Sequence, residues 1–74
     1  MLDNKLKLNE NEEFIRLDAM LKMLGVFETG GQAKFAIQNG LVRVNGEVCT
    51  MRGKKIRPGD VVRFERFTVE VTQA

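Results

Sequence analysis

The sequence predicts an α+β fold: two packed helices followed by a small, mainly antiparallel sheet, with a short N-terminal strand ahead of the helices. Apolar residues recur at helical spacing between Phe14 and Ile37. From Val42 onward they alternate instead, as in strands with one buried face. Gly, Asn or Pro stands where each element should end. Helices and strands that keep to separate stretches of the chain make an α+β domain.

Lys5, Leu6, Lys7 and Leu8 alternate charge and apolar bulk, which predicts a short edge strand whose lysines face water and discourage edge-to-edge pairing. Asn9-Glu10-Asn11-Glu12-Glu13 reads as a helix start, with an Asn cap and acids at the positive end of the helix dipole. Phe14, Leu17, Leu21 and Leu24 then form one stripe, and Gly25 stops the helix. Thr29 and Gln32 fit a capping box opening a second helix, whose small face is Ala33, Ala36 and Ile37 and whose end is Gly40. Val42 and Val44 flank Arg43 on a strand, Asn45-Gly46 turns it, and Glu47-Val48 begin the return. Met51–Lys55 is polar and basic and is expected to loop out. Pro58-Gly59-Asp60 is a turn into the strand of Val61, Val62 and Phe64. Glu65-Arg66 turns into a last strand carrying Phe67, Val69 and Val71 on one face. Phe14, Phe64 and Phe67 are expected in the core, Phe35 against the first helix or the N-terminal strand, and Met20, Met23 and Met51 as gap-fillers. Asp18 is expected to pair with Lys22 one turn on.

Seventy-four residues make one domain, residues 1–74, with a thin core. A binding surface is easier to build on such a chain than an enclosed catalytic cleft. The net charge of +2 is unevenly spread. Residues 1–28 carry six acids and four bases, and residues 29–74 carry eight bases and four acids. An anionic partner is therefore expected on the second half. The chain has one cysteine, Cys49, and no histidine, which removes internal disulfides, Cys–His or Ser–His pairs and imidazole-based zinc sites. Cys49 reads as an inert, small apolar group. A reducing cytoplasm fits best, and no apolar run approaches the roughly 18 residues of a membrane span.

More specific are Arg16-Leu17-Asp18, the segment Thr29-Gly30-Gly31-Gln32-Ala33-Lys34, the run from Ile37 through Gly40 to Val42-Arg43-Val44-Asn45-Gly46, and Pro58-Gly59-Asp60-Val61-Val62. In this order they resemble the S-four RNA-binding domain, or alpha-L motif, over residues 14–64. Its helix pair and hairpin recur in a small ribosomal-subunit protein, pseudouridine synthases and tyrosyl-tRNA synthetases. The short length, N-terminal strand and Gly-Gly-x-Ala-Lys segment resemble small stand-alone bacterial proteins of the YbcJ/YaaA type. The resemblance implies a cytoplasmic, ribosome-associated monomer that binds structured RNA, ribosomal RNA first, with ribosomal proteins as further partners and no cofactor or metal. One departure stands out: the family commonly has Ser-Arg where this chain has Thr29-Gly30, which keeps the capping oxygen and loses an Arg that often contacts RNA.

The candidate RNA-binding residues are Arg16, Gly30, Gly31, Lys34, Arg43, Asn45, Arg52, Lys54, Lys55 and Arg57. Arg16 matches the family Arg. Gly30 and Gly31 either let a phosphate approach the amides of a helix start, with Lys34 beside it, or simply allow a tight turn; the two readings are compatible. Arg43 should point away from the core, while Asn45 serves the hairpin turn at least as well as a contact. Arg52, Lys54, Lys55 and Arg57 put four positive charges into six residues, which is either a solvated loop or a phosphate-binding one. A protein-interaction adaptor on the ribosome or another RNA–protein complex is the alternative, with the Lys5–Leu8 edge as a docking strand. An enzyme is disfavoured: Asp18 and Asp60 both fit structural roles, and the synthases sharing this domain carry catalysis elsewhere.

Overall fold

The computed structural model describes residues 2–73; Met1 and Ala74, the ends of the expected 1–74 domain, lie outside the described residues. In chain order the elements are β1 (Leu2–Leu8), β2 (Ile15–Arg16), α1 (Leu17–Met23), α2 (Gly30–Gln38), β3 (Val42–Val44), β4 (Glu47–Val48), β5 (Lys55–Ile56), β6 (Val61–Phe64) and β7 (Phe67–Gln73). Five strands form one sheet in the order β1-β7-β6-β3-β4, and β2 pairs with β5 in a second, two-stranded one. Every pair is antiparallel except β1 with β7. The α+β expectation holds. The N-terminal strand, expected to be short, runs for seven residues as a parallel edge.

Burial follows strand alternation. Val42, Val44, Val62, Val69 and Val71 face the helices, while Arg43, Arg63 and Glu70 face away. On β1, Leu6 and Leu8 join the same core, and Lys5 and Lys7 are exposed. Leu17, Met20 and Leu21 from α1 and Ala33, Ala36 and Ile37 from α2 are buried above the sheet. Each large apolar side chain so placed contributes about 1.5–3 kcal/mol. The two alanines keep the second helix close to its neighbours.

The second helix is capped as expected. Thr29 Oγ1 accepts from the Gln32 amide at 3.2 Å, and Gln32 Oε1 accepts from the Glu28 amide at 2.9 Å, one residue earlier than in the standard box. The hairpin turn has positive φ at Asn45 (53°) and Gly46 (85°), the pattern of a type I′ turn.

The first helix begins later than its acidic start signal indicates. Asn9–Glu12 forms an isolated turn: the Asn9 amide donates to Glu12 Oε1, the Glu12 amide donates to the Asn9 carbonyl, and Gln73 Nε2 donates to the Asn9 and Glu12 carbonyls. Ile15 and Arg16 are drawn into β pairing with Ile56 and Lys55, so Lys55 belongs to a strand and not wholly to a loop. The helix follows with no side-chain cap. Its first amides are satisfied from outside, Leu17 N donating to Lys54 O at 2.9 Å and Asp18 N to Arg52 O at 3.0 Å.

Four apolar placements differ from expectation. Phe14, ahead of the helix, is 36% exposed and lies under Lys55 Nζ at 5.0 Å from the ring centroid. Phe35 is 66% exposed, because the small face of α2 already fills the contact with the sheet. Met23 and Met51 are exposed as well; only Met20 fills a gap in the core. Asp18 pairs with Arg16 at 3.2 Å and accepts from the Ala19 amide at 2.8 Å, which takes it from Lys22. No described helix is long and apolar enough to cross a membrane.

Candidate nucleic-acid interface

Arg16, Arg52, Lys54 and Lys55 come together where the 49–56 segment meets the start of α1. The two backbone bonds from Leu17 and Asp18 fix this segment, and the β2–β5 pair adds a second clamp. Arg16 and Lys55 are thereby set directly opposite one another on neighbouring strands. The Arg16 guanidinium also lies beside Gly53: a Cβ there would stand 3.9 Å from its Nη2. Arg52 and Lys54 flank that glycine and are exposed. Among the described residues Arg16–Asp18 is the single ion pair, so Arg52, Lys54 and Lys55 have no carboxylate partner within 4.0 Å. These cations stand on a fixed backbone, which lowers the cost of ordering them around a ligand.

The hairpin turn borders this cluster. Asn45 and Lys54 line one depression of about 430 Å3 together with Val44, Glu47, Val48, Cys49, Thr50 and Met51. Asn45 is tied across the chain: its amide donates to Val61 O at 2.7 Å, its Oδ1 accepts from the Val61 amide at 2.9 Å, and its Nδ2 donates to Asp60 Oδ1 at 3.0 Å. The side-chain carbonyl thus replaces a main-chain carbonyl in the β3–β6 ladder where the chain turns away. One amide hydrogen of Asn45 is left for another acceptor.

Asp60 completes the lock. Its Oδ2 accepts from the Arg57 amide at 2.8 Å. That bond holds its carboxyl below the ordinary 3.8, helped by the Asn45 bond and the positive charges of Lys54 and Arg57, and opposed by partial burial. Two of the most recognisable sequence elements, Val-Asn-Gly and Pro-Gly-Asp, therefore meet in space and fix the hairpin against the turn.

The other expected site residues are placed apart from this cluster. Arg57 lines a depression with Glu10, Glu12, Glu13 and Gln73, so three acids border the same surface. Gly31 borders an open groove of about 830 Å3 that also includes Phe27, Phe35, Leu41 and Phe64. Gly30 is exposed, and a Cβ added to it would meet nothing within 4 Å. Lys34 is exposed on the same helix, one turn on. Arg43 points away from the core as expected, its Nη1 donating to Gly46 O at 3.3 Å. Sequence reasoning passed over Arg63, which the register places directly opposite Arg43; the alternation that turned Arg43 outward turns Arg63 outward too. Among the described residues no cluster of His, Cys, Asp and Glu could hold a metal.

The helix pair over a mainly antiparallel sheet matches the fold of a solved alpha-L protein. The solution structure of YbcJ from Escherichia coli, described as revealing an alpha-L motif involved in RNA binding, superposes with a TM-score of 0.68 at 37% identity, over 92% of this chain and 85% of that one. The chain belongs to the S4 domain family, whose model matches residues 6–72. It is 42% identical over 57 residues to YbcJ of Escherichia coli K12, covering 77% of this chain and 81% of that protein. It is also 42% identical over 55 residues to the Bacillus subtilis protein named "Probable ribosome maturation protein RlbA", covering 74% of this chain and 78% of that one.

Proposed function

We propose that this protein binds structured RNA, ribosomal RNA first, through the surface built by Arg16, Arg52, Lys54 and Lys55 and the adjoining Asn45 turn. The observation that carries this reading is that Arg52, Lys54 and Lys55, on a segment bonded to the start of α1, have no carboxylate within 4.0 Å among the described residues. Phosphate contacts supply most of the affinity for RNA, and duplex RNA is read largely by shape and backbone, so a rigid basic surface meets the chemical need. Family membership and the RNA-binding and ribosome-maturation descriptions of its relatives support the same reading. Gly30, Gly31 and Lys34 form an outlying contact at the start of α2, and Arg57, on a depression bordered by three acids, contributes least.

Titration against ribosomal RNA and a DNA duplex of the same length tests this directly. Preferential binding to RNA that weakens steeply with salt is expected. Equal affinity for both, or none at low salt from a folded protein, would contradict it. One observation favours an adaptor role as a second reading: Phe35 and Leu41, exposed at 66% and 51%, line the open groove beside α2. A protein partner retained at high salt in the absence of RNA would support that alternative.

A further inference from the structure

We propose that Arg43 and Arg63 form a second phosphate-binding site, on the face of the sheet turned away from the helices, and that an RNA strand reaches it by crossing the β3–β4 hairpin. This inference rests on the RNA-binding reading above.

The β3–β6 register sets the two arginines directly opposite each other. Both are exposed, and their strand neighbours Val42, Val44 and Val62 are buried under the helices, so both guanidinium groups leave the same outer face. Like charges in directly opposed positions destabilise a sheet. Neither arginine has a carboxylate within 4.0 Å among the described residues. Each donates instead to a main-chain oxygen in the turn that follows its own strand, Arg43 Nη1 to Gly46 O at 3.3 Å and Arg63 Nε to Glu65 O at 3.5 Å. A guanidinium has five N–H donors, so most of both forks remain available to a ligand. They border a depression of about 390 Å3 lined by Leu41, Arg43, Arg63 and Glu65. Two adjacent forks without a bound carboxylate suit a phosphate oxygen pair better than any neutral group.

Continuity selects a strand of RNA over an isolated anion. Lys54 and Asn45 share one depression, the next residue, Gly46, accepts from Arg43, and Arg43 stands opposite Arg63. Donors therefore run from the basic segment beside α1, over the hairpin turn, onto the outer face of the sheet. Glu65 is the one acid lining this depression among the described residues, and it works against the site.

The test compares purified ribosomal RNA binding by the full chain, by Arg43→Gln/Arg63→Gln, by Glu65→Gln and by Lys54→Ala/Lys55→Ala, each across salt. A melting temperature equal to or above that of the parent is required of the arginine variant, since it relieves a repulsion. One phosphate held by the pair means that this variant loses roughly tenfold or more in affinity and that its log–log salt slope falls by roughly 0.7–0.9. Glu65→Gln should bind more tightly than the parent. If the parent does not bind ribosomal RNA, the function proposed above fails and this inference with it. If the parent binds and Lys54→Ala/Lys55→Ala weakens it, while the arginine variant keeps the parent affinity and slope, only the second site is overturned. Inorganic phosphate separates the two sources of the anion. Phosphate-induced amide shifts at Arg43 and Arg63, with unchanged RNA affinity in the arginine variant, would mark an isolated anion site and overturn the RNA track.

Discussion

Replacing Asn45 separates the two tasks of the hairpin turn, backbone geometry and cross-chain bonding. Asn45→Gly keeps the positive φ of 53° without strain and removes the side-chain bonds to Asp60 and the Val61 amide. Each bond contributes about 0.5–1.5 kcal/mol, so the loss is about 2 kcal/mol. Asn45→Ala removes the same bonds and forces a side chain without local compensation into the left-handed region, for about 1 kcal/mol more. A domain of this size is stable by about 4–11 kcal/mol, so both variants should still fold. Urea titrations should show midpoints in the order parent, Gly, Ala with a common slope, and thermal melts should drop by roughly 8–16 °C for Asn45→Gly. In a double-mutant cycle, Asn45→Gly with Asp60→Ala should cost less than the two single changes together, with a coupling of about 0.5–1.5 kcal/mol. Stability of Asn45→Gly within about 0.5 kcal/mol of the parent would refute the lock. Strict additivity with Asp60→Ala would do the same.

The lock also sets a dependence on pH. Because the carboxyl of Asp60 titrates below its ordinary 3.8 in the folded protein, the unfolded chain takes up the proton first. Its contribution is complete above that value and is lost as the pH falls through the folded pKa, so Asp60→Asn should lose less stability than the parent between pH 5 and pH 2. Gly30→Arg, which restores the residue usual in the family, has open space for its side chain and should raise RNA affinity and steepen the salt slope by roughly 0.7–0.9; unchanged binding would remove the start of α2 from the interface. Phe35→Ser should move stability by less than about 0.5 kcal/mol, since the ring is exposed, whereas Leu21→Ala should cost about 2–5 kcal/mol in the core. Urea midpoints for both check the placement of the α2 face.

What the sequence disclosed depended on how local each signal was. The Thr29 cap, the Asn45-Gly46 turn and the buried faces of Val42–Val44 and Val69–Val71 are set by neighbouring residues, and the structure follows them. The acids ahead of Phe14 gave an equally good local signal for a helix start. There, long-range pairing of Ile15 with Ile56 overrode it, and the same 41-residue separation hid the β2–β5 pair. The parallel partner of β1 was hidden for the same reason, since Leu6 and Val71 lie at opposite ends of the chain. For the candidate site, side-chain types were visible and their grouping was not. Four charges in six residues looked like one patch. Arg57 borders a depression lined by Glu10, Glu12 and Glu13, while Arg52, Lys54 and Lys55 stand on the segment beside Arg16. Arg63 escaped notice because its importance comes from the residue across the sheet and not from its neighbours in sequence.

The most direct test of the proposed interface is an amide chemical-shift titration of the labelled protein with ribosomal RNA fragments at moderate salt. The largest changes should fall on Arg16, Arg52–Lys55 and the Asn45-Gly46 turn. Changes confined to the Phe35 groove or to the β1 edge, with the 52–55 segment unmoved, would contradict the basic surface as the place where RNA binds.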